Sequence, residues 1–254
     1  MNQNELIKKI TSKKEFSALP EIDVNKAFAQ FDLEKYTDEE KIKLTRDLLR
    51  KVFSAFTSQK ILNLKDKDSE WILKKHLSTR ERFNHYPELY NRILKNKNAT
   101  IIDLGAGVNG FSLNFMKKVS WKGKYLSVEA IGQFINLMNF YFKKNKLNAQ
   151  AIHLSLFELE KIKNLIKKEK GEKIVFLFKT LDSLEMLERN YSKKLLLEIA
   201  PLVNKVVVSF ATRSMVSRKK FMVNRGWIVN FIEDNFKILD DFELGGERYI
   251  IINK

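Results

Sequence analysis

The sequence predicts an α/β fold: a mostly parallel sheet covered by helices on both faces, preceded by a purely helical segment. Three observations carry this. From Thr100 onward, apolar runs of strand length alternate with helical stretches, whereas up to about Asn98 only helical periodicity is present. The C-terminal FKILDDFELGGERYIIIN holds two strand-like runs around Gly245-Gly246 with no helix between them. Continuous apolar strands separated by helices need both sheet faces covered, and two strands joined by a short glycine turn form an antiparallel hairpin.

Residues 1–98 read as an N-terminal helical, basic domain and residues 99–254 as the sheet domain. Helical periodicity runs near 3–17, 22–35, 38–58 and 68–80, as in Ile42, Leu48, Leu49, Val52, Phe53 and Phe56. Thr37-Asp38-Glu39-Glu40 has the spacing of a capping box. Pro20 and Pro87 stand at plausible boundaries, and no glycine interrupts the region. Beyond it, the strands are TIIDL, KYLSVE, AQAIHL, KIVFLFK and NKVVVSF, with helices near 109–119, 131–146, 156–170, 182–200 and 217–235. Between the two parts lies KHLSTRERF, whose histidine, hydroxyls, arginines and acid exceed what a helix cap needs. It reads as a hinge between domains.

Composition narrows the chemistry. With 44% apolar residues and 19 phenylalanines among 254, a sizeable core is expected. No apolar run approaches a membrane span, and MNQNELIKKI lacks the apolar stretch of a secretion signal; a cytoplasmic location without membrane attachment is expected. There is no cysteine and there are three histidines, so neither disulfides nor a metal centre is expected. The net charge of +16 favours a polyanionic partner, since neutralised phosphates release condensed counterions. A lysine-rich composition would raise the charge as well, because 37 of the 47 basic residues are lysine.

IIDLGAGVNG places Asp103, Gly105 and Gly107 at the C-terminal end of the first predicted strand. Glycines there let the backbone turn sharply and a ligand approach closely. The second strand ends in Glu129, an acid placed to accept ribose hydroxyls. With Gly110 the spacing is G-x-G-x-x-G, which suits NAD as well. The hairpin favours S-adenosyl-L-methionine (SAM): a seventh strand inserted antiparallel marks the class I SAM-methyltransferase, Rossmann-like, seven-stranded sheet. No residue pair suited to hydride transfer accompanies the loop.

Taken together, the motifs resemble those of the aminoglycoside-resistance 16S rRNA (guanine-N7) methyltransferases of the guanine 1405 type. HLSTRER is similar to their H-x-S-T-x-E-R, DLGAGVN to D-I-G-C-G-L-N, and FKTLDSLE to K-T-L-P-C-L-E. SFATRSMVSRKKFM is similar to S-F-P-T-[KR]-S-L-G-G-R-x-x-G-M, and LGGERYIIINK to their final strands. The matches run in order from about residue 70 to the C-terminus. The resemblance implies a SAM-dependent enzyme acting as a monomer on 16S rRNA within the small ribosomal subunit. Asp103, Gly105 and Gly107 would then line the methionine side of SAM, Glu129 its ribose and Arg82 its carboxylate. Lys179 and Thr180 would border the methyl-transfer pocket as the candidate catalytic residues. Arg213, Arg218 and Lys219 would belong to an rRNA-binding loop, with Lys74 and Lys75 as further phosphate contacts. Departures fall mainly in that loop, where Val216-Ser217 replaces Gly-Gly, Ala211 a proline and Phe221 a glycine. The acid usual after the third strand, near adenine, is absent from AIHLSLFE.

Overall fold

The structure, a computed structural model, describes residues 1–54, 68–212 and 225–254. Its sheet comprises β1 (Thr100–Leu104), β2 (Tyr125–Glu129), β3 (Ala149–His153), β4 (Lys173–Phe178), β5 (Lys205–Ala211), β6 (Lys237–Leu244) and β7 (Glu247–Asn253). The strand order is β3-β2-β1-β4-β5-β7-β6. The first five strands pair in parallel, and β7 runs antiparallel between β5 and β6, with Ala211 opposite Glu247 and Ser209 opposite Tyr249. The expected seven-stranded sheet and its inserted antiparallel strand are thus both present.

The described helices are α1 (Gln3–Thr11), α2 (Glu21–Ala29), α3 (Asp38–Leu49), α4 (Ser69–Lys75), α5 (Leu77–Arg82), α6 (Tyr86–Ile93), α7 (Leu113–Lys118), α8 (Gly132–Lys144), α9 (Leu159–Lys168), α10 (Leu181–Leu187), α11 (Tyr191–Ile199) and α12 (Gly226–Asn235). Alternate strand residues feed two cores. On one face Ile102, Leu104, Val175 and Leu177 pack with α9 to α12 and with Val24, Phe28 and Leu49 of the first helices. On the other, Ile101, Ile174, Phe176 and Tyr249 pack with α8 and with Leu73, Tyr86 and Tyr90 of α4 and α6. Burial on both sides explains why the parallel strands are apolar without alternation.

Several helices are shorter than their periodicity suggests. The first ends at Thr11 and the third passes after Leu49 into a π-helical turn, Arg50–Ser54. The stretch 182–200 is two helices, broken at Asn190, whose φ is +64°. Glu185 holds the break by accepting the N–H groups of Asn190 (2.6 Å) and Ser192 (2.9 Å). Thr37 does cap α3: its hydroxyl accepts from Glu40 N, and the Glu40 carboxylate accepts from Thr37 N at 2.8 Å. Among the described residues, no helix is long and apolar enough to cross a membrane, and no acid or histidine cluster is arranged to hold a metal.

Candidate active site

In a parallel sheet the ligand crevice lies beyond the C-terminal strand ends, where the strand order reverses. Here β1 and β4 flank that point, and a solvent-open cleft of about 810 Å³ lies there. It is lined by Gly105, Ala106 and Gly107 after β1, Glu129 and Ala130 after β2, Leu156 and Phe157 after β3, and Phe178, Lys179 and Thr180 at the end of β4. Asp23 of α2, Val52 and Phe53 of the π-helical turn, His76 at the α4–α5 junction, Ser78, Thr79 and Arg82 of α5, and Ser183, Leu184 and Leu187 of α10 complete the wall.

Gly105 and Gly107 have φ of +72° and +55°, which side chains rarely adopt. A Cβ on Gly105 would stand 2.7 Å from Thr180 Cγ2, and one on Gly107 3.2 Å from His76 Cε1. The loop therefore presents bare backbone to the cleft. Glu129 braces it: Oε2 accepts from Gly107 N at 2.7 Å, while Oε1 accepts from Ala130 N (2.8 Å) and Ile131 N (2.9 Å). Burial raises the Glu129 pKa, and the three N–H donors pull it back.

Asp103 is not among the cleft-lining residues. It sits behind the loop, where Oδ2 accepts from Asn109 Nδ2 (2.7 Å) and the Tyr125 hydroxyl (2.6 Å). Asn109 in turn accepts, through Oδ1, from Arg82 Nη1 (3.2 Å) and the Tyr86 hydroxyl (2.7 Å). The acid thus shapes the loop and ties it to Arg82.

Arg82, 3% exposed, donates from Nε to Glu247 Oε2 at 3.1 Å and from Nη2 to the Ser78 hydroxyl. A guanidinium has five N–H donors; three are engaged here, which leaves two. Burial is the largest single influence and opposes its charge, but the Glu247 carboxylate with Tyr86, Tyr249 and Tyr90 together outweigh it and hold the pKa above its ordinary value. Burial likewise acts against ionised Glu247, which Arg82 and Lys179 nevertheless hold below the usual carboxylate range. Lys179 completes the cluster, its Nζ pairing with Glu81 and, at 3.2 Å, with Glu247. Its φ of +56° is strained for a lysine, and its N–H donates to the Ser209 hydroxyl at 3.1 Å. Thr180 donates its hydroxyl to Leu104 O at 3.1 Å, joining the ends of β1 and β4.

The structure therefore brings Arg82, Gly105, Gly107, Glu129, Lys179 and Thr180 to one cleft. Lys74 and Lys75 lie on the exposed side of α4, Lys74 beside Glu70 (3.2 Å) and Phe83, Lys75 over Trp71. Arg213, Arg218 and Lys219 fall outside the described residues. Sequence reasoning assigned no role to Glu247, although an acid opening an apolar strand in LGGERYIII was the available signal. It also passed over Asp23, which looks like an ordinary first-turn acid.

Bare glycine backbone, a buried acid at the end of β2 and a guanidinium with donors to spare suit a nucleoside that carries a carboxylate. Residues 42–230 match the family model described as ribosomal RNA methyltransferase (FmrO). The chain belongs to this ribosomal RNA methyltransferase family. Within it, the chain is similar to the 16S rRNA (guanine(1405)-N(7))-methyltransferase of Proteus mirabilis, 26% identical over 197 residues, 72% of this chain and 64% of that relative. The match thus spans less than two thirds of that curated relative's length. The fold is that of the 16S rRNA methylase RmtB (TM-score 0.78, 18% identical, covering 100% of this chain and 99% of that one). It also matches the 16S rRNA methyltransferase RmtF solved with S-adenosyl-L-homocysteine (TM-score 0.80, 19% identical, 100% and 99% covered). The methylase ArmA is 25% identical with a TM-score of 0.56, over 76% of this chain and 96% of that one. The expected family and the expected class I methyltransferase fold are both borne out.

Proposed function

We propose that this family member is a SAM-dependent methyltransferase that modifies guanine N7 in the decoding site of 16S rRNA, within the small ribosomal subunit. The observation that carries the reading is the convergence of the glycine loop, Glu129, Arg82 and Lys179 on one cleft at the sheet's switch point. The named activity of the Proteus mirabilis relative supports the same target. We infer that the enzyme works as a cytoplasmic monomer, its methylation serving either aminoglycoside resistance or housekeeping modification of the ribosome.

In this reading Glu129 accepts the ribose hydroxyls, exchanging part of its hold on Gly107 N. Arg82, fixed by Glu247, Asn109 and Ser78, directs its two remaining N–H donors at the methionine carboxylate. Asp103 acts through Asn109, keeping the loop in shape. Bound in the cleft, SAM supplies a sulfonium methyl group. Guanine N7 has a free lone pair, so no proton has to leave before attack and no general base is needed. What the chain contributes is alignment, with Lys179 and Thr180 bordering the transfer pocket. A target base within a helix is flipped out to reach it, at a cost of a few kcal/mol recovered in the pocket. Residues 1–98 form the rRNA-docking domain, with Lys74 and Lys75 on phosphates, and Arg213, Arg218 and Lys219 contact rRNA as the motif resemblance implies.

Calorimetric titration with SAM tests the enzyme reading against that of a non-catalytic RNA-binding factor, which the altered residues Ala211, Val216, Ser217 and Phe221 favour. Micromolar binding supports the enzyme; absence of binding by the wild-type chain removes it.

A further inference from the structure

We infer that Asp23, carried by α2 from the N-terminal helices, recognises the amino edge of the cofactor's adenine. The inference rests on reading the cleft as a SAM site. With a ribose at Glu129, the end of β2, the glycine loop fills the β1 side, so the base points toward β3. The chain there runs Leu154-Ser155-Leu156-Phe157, which offers Leu156 and Phe157 as apolar walls but no acid. The acid comes instead from α2, which meets this segment at Ser155.

Asp23 lines the cleft with Glu129, Leu156 and Phe157, and it is 2% exposed. Its Oδ1 accepts from the Ser155 hydroxyl at 3.0 Å. Its Oδ2 is buried and has no hydrogen-bond partner among the described residues. A buried acceptor without a donor is rare in folded proteins and points to a ligand group. The placement is built rather than incidental. Ser155 is itself fixed, accepting from Phe157 N at 3.1 Å, and Lys26, one turn along α2, pairs with Glu188 and covers the Phe157 ring. Burial pushes the carboxyl up to about 7 against the pull of the Ser155 hydroxyl, so both its oxygens are acceptors only above that pH. A purine 6-amino group donates to such an oxygen, whereas a 6-oxo group presents another acceptor.

The test is calorimetry on the full chain with S-adenosylhomocysteine and with its inosine analogue, for the wild type, Asp23→Ala and Asp23→Asn, each checked by thermal unfolding. The wild type is expected to bind the adenine form at least about tenfold more tightly than the hypoxanthine form. Asp23→Ala loses most of that preference, and Asp23→Asn, whose amide also donates, narrows or inverts it. A purely structural Asp23 would leave the ratio unchanged. Should the wild type bind neither ligand, the SAM reading of the cleft fails. Should it bind S-adenosylhomocysteine well while both variants keep the wild-type ratio, the Asp23 inference alone is overturned. If Asp23→Ala does not fold, the ratio in Asp23→Asn decides.

Discussion

Arg82 and Glu247, 165 residues apart in sequence, form an ion pair with 3.1 Å between Nε and Oε2 in which both side chains are almost fully buried. The pair joins α5 to the antiparallel strand β7, and Lys179 at the end of β4 shares the same carboxylate. Removing one partner leaves an uncompensated buried charge, which costs about 3–5 kcal/mol. Glu247→Ala is therefore expected to lower urea-unfolding stability by that amount, and Arg82→Ala to lower it comparably while weakening SAM binding by at least about 1.5 kcal/mol. A loss below about 1 kcal/mol for Glu247→Ala would show that the pair does not organise the site.

Gly105→Ala places a Cβ at φ +72° and 2.7 Å from Thr180 Cγ2. The left-handed conformation alone costs about 1–2 kcal/mol, and the contact pushes Thr180 off Leu104 O. Thermal unfolding should show the loss, and SAM affinity should fall with it. A variant with wild-type affinity would place the ligand away from this loop.

Glu129→Gln keeps the shape but leaves one acceptor oxygen where two now serve three N–H groups. The expected loss of SAM affinity is about 1–3 kcal/mol, the penalty for an unmatched buried group. Calorimetry that found no change would remove Glu129 from the ribose position.

Two buried groups pull the pH dependence in opposite directions. Burial, with Arg82 and Lys179 nearby, lowers the His76 pKa from 6.5 to about 3. The unfolded chain therefore binds the extra proton first, and this stability, present above pH 6.5, is lost as pH falls toward 3. Asp23 is raised from 3.8 to about 7, so its contribution is present below pH 3.8 and lost as pH rises toward 7. Unfolding titrations at several pH values should show Asp23→Asn gaining on the wild type by up to about 1.4 kcal/mol per pH unit between these limits. His76→Gln should show the opposite slope. Parallel curves would mean that neither group is held as the structure places it.

Lys74→Glu with Lys75→Glu should weaken binding to small-subunit rRNA, leave SAM affinity unchanged and flatten the dependence of log affinity on log salt. An unaltered salt slope, read by filter binding, would move the phosphate contacts elsewhere.

The strands and the glycine loop were legible because each is local: five-residue apolar runs and a G-x-G at a strand end follow from the backbone alone. The hairpin around Gly245-Gly246 was equally legible, and with it the fold class. Helix ends were less so. Nothing in 182–200 weakens the apolar periodicity where Asn190 turns left-handed, and the Glu185 cap that holds the break reaches five and seven residues ahead. The site's charge network was out of reach for a different reason. Glu247 meets Arg82 only because β7 inserts beside β5, and Asp23 meets Ser155 only because α2 folds over the end of β3, 132 residues away in sequence. Arg82 itself was placed by motif resemblance, since its sequence neighbours gave equal support to a surface basic patch.

The central claim is tested most directly by incubating purified small subunits with the chain and SAM, then mapping new methyl groups by mass spectrometry and by primer extension after cleavage at N7-methylguanine. The account predicts one methyl group on N7 of a decoding-site guanine of 16S rRNA, formed more slowly at limiting SAM when Glu129→Gln replaces the wild type. A methyl group on another base or on tRNA, or none despite tight SAM binding, would contradict it.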